Sequence, residues 1–292
     1  MNSSTVEGSH LSKAFGRKRV LQDLSFGVSP GDVVGVLGKN GAGKTTLLEL
    51  MLGFTQPTEG AVRMFGFESY RLPGEAKARV GFVPQQDELV DHLTVADQLR
   101  VIASFYPRWN AELMTRLCRE WGIDERARIK SMSVGERQKL SILLAFGHEP
   151  DLLILDEPVA SLDPIARRQF LEQLVEISAD GRRAIIFSSH IVSDIERLAN
   201  RIWILKEGRL YWQGDLDSLK ESIVRIHLRG TGALPEVLSI PGALSVRREA
   251  AFPTAIVRDW SEAAQRDLER QIAGSVEVEV LSLEEIFVEL HR

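Results

Sequence analysis

The sequence predicts an α/β fold: a mainly parallel sheet flanked by helices, antiparallel strands at its N-terminal end, a helical insert, and a small α+β domain at the C-terminus. Three observations predict it. A short apolar run at residues 33–37 leads into a glycine-rich loop and then an apolar helical stretch. Strand-sized apolar runs alternate with a helical pattern again between residues 152 and 212. Residues 87–150 repeat their apolar positions at helical spacing, and beyond residue 219 the pattern restarts as β-α-β-β-α-β.

Each element has its own signal. Leu24, Phe26 and Val28 alternate with smaller or polar residues, as in a strand with one buried face. Pro30-Gly31-Asp32 is a turn, residues 33–37 form a strand buried on both faces, and residues 45–52 form a helix. In the insert, Leu93, Val95, Leu99, Ile102 and Phe105 recur at helical spacing, as do Leu113, Leu117 and Trp121, then Leu140, Leu143 and Leu144. Strands return at 152–155, 184–188 and 201–205, with a charged helix over 165–178 and a Gly208-Arg209 turn into 210–212. The tail reads as a strand at 222–228, a short helix at 234–239, paired strands at 244–248 and 254–258, a helix at 262–272, a strand at 276–281 and a helix at 284–290. The expected organisation is therefore a large domain, 1–219, with its helical insert at about 87–150, and a small, ferredoxin-like domain, 220–292.

Composition narrows the function classes. The 292 residues carry a formal net charge of −5, without the basic excess that nucleic-acid binding through phosphates calls for, so no nucleic-acid partner is expected. One cysteine, Cys118, rules out an intrachain disulfide and sits beside Leu117 and Trp121, as expected of a half-buried structural position. The N-terminus MNSSTVEGSH lacks a basic stretch followed by an apolar core, and no apolar run nears the roughly 20 residues of a membrane-spanning helix. A membrane role is expected to come through a partner.

Gly38-Lys39-Asn40-Gly41-Ala42-Gly43-Lys44-Thr45 fits the phosphate-binding pattern G-x-x-x-x-G-K-[ST], between a strand and a helix. A triphosphate needs backbone N–H groups close on several sides, and Gly38, Gly41 and Gly43 leave room for that approach. Lys44 is expected to reach the β- and γ-phosphates, Thr45 to ligate Mg²⁺, and Thr46 to add a phosphate contact, so ATP and Mg²⁺ are the expected cofactors. The apolar strand 152–155 ends in Asp156 and Glu157. At the carboxyl end of a parallel strand, Asp156 would face the Mg²⁺ and Glu157 the attacking water, as general base.

With these in place, the chain resembles the ABC ATPase family of P-loop NTPases, across most of residues 11–212. Met132-Ser133-Val134-Gly135-Glu136 resembles the signature LSGGQ, with Val134 and Glu136 departing from it. Ser161-Leu162-Asp163 resembles the D-loop, Pro84-Gln85 the Q-loop, His190 the switch histidine, and Phe15 the aromatic that stacks on adenine. The resemblance implies that Gln85 contacts Mg²⁺ or water and that His190 bonds the γ-phosphate. It also implies that Ser133 and Gly135, with Asp163 nearby, serve the nucleotide of a second subunit in a head-to-tail homodimer or heterodimer.

Three classes of ABC protein compete. One phosphate loop and one signature argue against a two-cassette translation factor. The absence of sustained heptads argues against a repair or chromosome ATPase acting on nucleic acid. A transporter motor with a separate membrane-spanning subunit, on the cytoplasmic face of the membrane as a peripheral protein, is the expected class. Leu281-Ser282-Leu283-Glu284-Glu285-Ile286-Phe287 and Phe105-Tyr106-Pro107-Arg108-Trp109 resemble segments of exporter-type subunits, which favours export over import.

Overall fold

The computed structural model describes residues 4–230, 239–247 and 253–291. Contacts divide the chain into two compact units, residues 1–213 and 214–292.

The first unit opens with strands the sequence reading left largely undrawn. β1 (Val6–Phe15) and β2 (Lys18–Val28) pair antiparallel, with Leu11, Leu21, Leu24 and Phe26 turned inward. β3 (Val33–Leu37) is buried at all five positions and leads into α1 (Lys44–Met51). β4 (Glu59–Met64) pairs antiparallel with β1 and with β5 (Phe67–Glu68). A short α2 (Gly74–Lys77) precedes β6 (Val80–Val83).

The insert holds three helices among the described residues. Thr94 caps α3 (Val95–Ala103), Asn110 caps α4 (Ala111–Glu120), and Ser133 caps α5 (Val134–Phe146). Each cap side chain accepts a backbone N–H that the first turn leaves unpaired. Then follow β7 (Leu152–Leu155), α6 (Pro164–Ser178), β8 (Ala184–Ser188), α7 (Val192–Leu198), β9 (Arg201–Lys206) and β10 (Arg209–Asp215). Cys118, expected half-buried, is fully buried on the inner face of α4.

Two sheets result, in the orders β2-β1-β4-β5 and β10-β9-β3-β8-β7-β6. In the second, β6, β7, β8, β3 and β9 run parallel, with Val83 opposite Leu155, Leu155 opposite Phe187, and Val36 opposite Ser188. Their carboxyl ends therefore fall in one row, where ligands of open α/β sheets sit. The core closes between the sheets around Leu24, Phe26, Leu47, Met51 and Trp203, with the Phe26 and Trp203 rings 4.8 Å apart.

The second unit begins with α8 (Leu216–Ser222), earlier than the expected boundary at 219, because Leu216 and Leu219 are buried as α8 packs on β11 (Ile223–Gly230). β12 (Ala243–Arg247), β13 (Thr254–Arg258), α9 (Glu262–Ile272), β14 (Gly274–Val280) and α10 (Leu283–Leu290) complete it. Its antiparallel sheet has the order β12-β13-β11-β14, over a core of Val224, Ile226, Leu228, Val257, Leu268 and Ile272. The short helix expected over residues 234–239 lies outside the described residues but for Ser239, and Arg248 of the expected 244–248 strand lies outside them as well.

Candidate functional site

The glycine-rich loop turns directly off the buried end of β3. Gly43 caps α1 with φ of 105°, in the left-handed region that a side chain disfavours. Gly38 serves differently from the turn glycine expected. Its φ is not left-handed, but a Cβ there would lie 2.8 Å from the carbonyl oxygen of Leu205. The loop thus sits tight on β9. Lys44, in the first turn of α1, is buried. Its Nζ donates to the Gly38 carbonyl at 2.9 Å and lies 3.8 Å from Glu157 Oε1.

The acidic end of β7 is organised by a residue the sequence reading missed. The Ser188 hydroxyl, at the end of β8, donates to Asp156 Oδ1 at 2.6 Å and accepts from the Glu157 backbone N–H at 2.9 Å. A polar residue ending an otherwise apolar strand was the available signal. Glu157 takes φ of 50° and is buried. Its Oε2 accepts from the His190 backbone N–H at 3.0 Å and from His190 Nδ1 at 2.7 Å. An ionised carboxylate only accepts, so this contact places the proton on Nδ1. A chain of contacts thus runs from Gly38 through Lys44 and Glu157 to His190.

Of these groups Lys44 and Glu157 line an open cleft of about 480 Å³, together with Phe15, Lys18, Val20, Asn40, Gly41, Gly43, Thr45, Thr46 and Gln85; Gly38, Ala42, Asp156 and His190 are not among its lining residues. Lys18 and Val20 are additions to the expected set. Phe15 is half-exposed, and Lys13 Nζ sits 4.7 Å from its ring centroid while donating to Thr55 Oγ1 at 2.7 Å. The ring thus lines the cleft beside a cation with about half its surface exposed, which leaves it available for stacking.

The structure does not bring Ser133, Gly135 or Asp163 to this cleft; none of them lines it. They sit together elsewhere, since a Cβ on Gly135 would lie 3.2 Å from the Ser161 carbonyl oxygen. Ser133 forms a capping box with Glu136: its N–H and hydroxyl both donate to Glu136 Oε2 at 2.8 Å, and its hydroxyl accepts from the Glu136 N–H at 3.3 Å. These donors hold the Glu136 carboxyl below the usual carboxylate range. Val134 projects into solvent at 66% exposure. Asp163 caps α6, accepting from the N–H groups of Ala166 and Ile165, which lowers its pKa in the same way. Beyond Gln85, Leu89 is half-buried and Val90 exposed.

A family model described as ABC transporter matches residues 21–160. Over 219 residues the chain is 36% identical to the Nod factor export ATP-binding protein I of Paraburkholderia xenovorans, covering 73% of this chain and 72% of that one. It is similar to a solved ATP-binding subunit of an ABC transporter, with 32% identity and a TM-score of 0.69 over 75% of this chain and 92% of the other. It also shares the fold of an ATP-binding cassette solved as a dimer in a post-hydrolysis state with ADP and Pi. There the identity is 20% and the TM-score 0.65, over 72% of this chain and 98% of that one.

Proposed function

This chain belongs to the ABC transporter ATP-binding family, and on that premise we propose that it is an export motor that hydrolyses ATP at the Lys44–Glu157–His190 cleft and drives a separate membrane-spanning subunit. Its ATPase activity goes with the family. The residue roles, the direction of transport and the partner are the proposal. The observation that carries it is that Lys44 and Glu157 meet in one cleft also lined by Phe15 and Gln85, with His190 bonded to Glu157.

Phe15 stacks on adenine, and the amides of the loop from Gly38 through Ala42 to Thr46, Asn40 included, cradle the phosphates. Lys44 turns from the Gly38 carbonyl toward the β- and γ-phosphates. Glu157, relieved of Lys44, takes the proton of the attacking water, while His190 keeps the carboxylate oriented and reaches the γ-phosphate. Thr45, Gln85 and Asp156 would offer an all-oxygen donor set with a single carboxylate, which suits Mg²⁺ arriving with a nucleotide. Such an ion, when bound, would supply neutralisation of the phosphate charge.

Ser133 and Gly135, with Asp163 beside them, stand at exposed helix starts away from the cleft, so their phosphate contact needs a second copy set head to tail. The dimeric cassette that shares this fold supports pairing of two copies. The Nod factor export relative and the exporter-like tail support export. No helix among the described residues is long and apolar enough to cross a membrane. A peripheral position on the cytoplasmic face, docked to the membrane subunit through the Leu89–Val90 segment, fits that.

Glu157→Gln tests the reading. Turnover should fall by about 10²- to 10⁴-fold, the usual contribution of a general base, while ATP affinity holds and an ATP-bound dimer accumulates in sedimentation. Turnover at the wild-type rate would remove Glu157 from the mechanism.

A further inference from the structure

α5 begins at the exposed signature and carries Arg137 one turn in. The guanidinium is a shielded fork. Nε donates to both oxygens of Asp87 at 3.1 and 3.0 Å, and Nη2 to Asp87 Oδ1 at 2.6 Å. Nη1 donates to Asp91 Oδ1 at 2.7 Å and to the Ile129 carbonyl at 3.3 Å. Asp87 stands two residues beyond Gln85, which lines the nucleotide cleft. The same segment is stitched to the chain just before the signature, with Lys130 N–H donating to the Asp91 carbonyl and Ile129 N–H to that of Leu93, each at 3.0 Å.

An exposed ion pair would carry little here. The Arg137 and Asp87 side chains, however, are only 20% and 18% exposed, and the contact is bidentate. Arg137 holds the Asp87 carboxyl below the ordinary carboxylate range. A planar guanidinium serves two carboxylates and a carbonyl in one fixed orientation, which a lysine ammonium cannot. A rigid strut thus joins the Gln85 segment, at this chain's own cleft, to the helix that displays Ser133 and Gly135.

We propose that Arg137 is a positioning residue that ties the Gln85 segment to α5, so that nucleotide in this chain's cleft sets the pose of Ser133 and Gly135 toward the nucleotide of a second copy. A shift of the Gln85 segment then moves α5 as a rigid body. The inference rests on the roles given above to Gln85 and Ser133.

The test compares the full chain with Arg137→Met, Asp87→Ala, the double variant and Arg137→Lys. ATP affinity, turnover and melting temperature are read in each, with ATP-driven dimerisation measured in a Glu157→Gln background. ATP affinity should stay within about twofold while turnover and dimerisation fall about tenfold, the scale of a coupling between sites. The double variant should be no worse than Arg137→Met alone, because Asp87→Ala removes only a contact already lost with Arg137, and Arg137→Lys should recover part of the loss. Full turnover in Arg137→Met, additive losses in the double, or a lowered melting temperature with unchanged turnover would overturn the proposal. Gln85→Ala and Ser133→Ala run alongside. If both turn over normally, the site roles fail and the strut with them. If both are impaired while Arg137→Met is not, the strut alone fails.

Discussion

The phosphate cleft and the signature face of α5 belong to one unit and hold their polar groups in opposite ways. At the cleft, Asp156 and Glu157 are buried and bonded to Ser188 and His190 at another strand end, and the buried Lys44 Nζ lies 3.8 Å from Glu157 Oε1. On the signature face, Ser133 and Glu136 are exposed and bonded to each other within a single helical turn. A buried polar group is costly unless paired, so the fold itself had to bring the cleft's partners together. The signature face satisfied itself locally, and its donors become available only to something that displaces Glu136. On the proposed reading, one half-site is finished by folding and the other is completed by a second copy.

The largest effect that could break this contrast is at Lys44. Lys44→Ala should weaken ATP binding about 30- to 150-fold, matching roughly 2–3 kcal/mol for charge-assisted hydrogen bonds. Calorimetry reads it, and affinity within threefold of wild type would mean that the cleft is not the nucleotide site.

Ser133→Ala probes the other half. ATP affinity of the single chain should hold within twofold, while turnover falls about tenfold through loss of a transition-state donor. The melting temperature drops as well, because the helix cap contributes about 1 kcal/mol. Ser133→Asn keeps a cap, so restored turnover in that variant would reduce the hydroxyl to a structural role.

The smallest effect sharpens the comparison. Glu136→Gln keeps a capping-box partner but removes the charge that an incoming phosphate must displace. ATP-driven association at neutral pH should tighten about two- to threefold. The acid limb should change too. The folded Glu136 pKa lies below its unfolded value, so its stabilisation is complete above the unfolded pKa of about 4.3 and is lost as pH falls through the folded one. The Gln variant should lack that loss, and identical melting curves between pH 5 and 3 would show that the carboxylate contributes nothing.

Much of the cleft was legible because its chemistry is local in sequence. The loop from Gly38 to Thr46 is contiguous, and the Asp156-Glu157 pair sits at the end of an apolar run that can only be a buried strand. His190 and Gln85 carried no signal of their own and were legible only through the resemblance to the ABC ATPase family; in the fold Gln85 lines the cleft with Glu157, and His190 bonds Glu157. Ser188, Lys18 and Val20 escaped notice because they act through space, and a lone serine or lysine carries no spacing signal. The same holds for Arg137, whose partners lie 46 and 50 positions away. β1 was hidden by its polar residues: Leu11 is buried, but Ser9, His10, Ser12 and Lys13 interrupt the alternation where its pairing with β2 slips register.

Cys118 has a practical consequence. It is the chain's one cysteine, and burial pushes its thiol up to about 11. At pH 8 only about one molecule in a thousand carries the reactive thiolate there, and that one is shielded beneath α4. A cysteine introduced at a solvent-facing position would therefore take a fluorophore or spin label almost alone, in the otherwise unaltered chain. Val134, projecting from the signature face, is such a position. A dye there would report, by quenching or by interprobe distance, the moment a second copy closes over it.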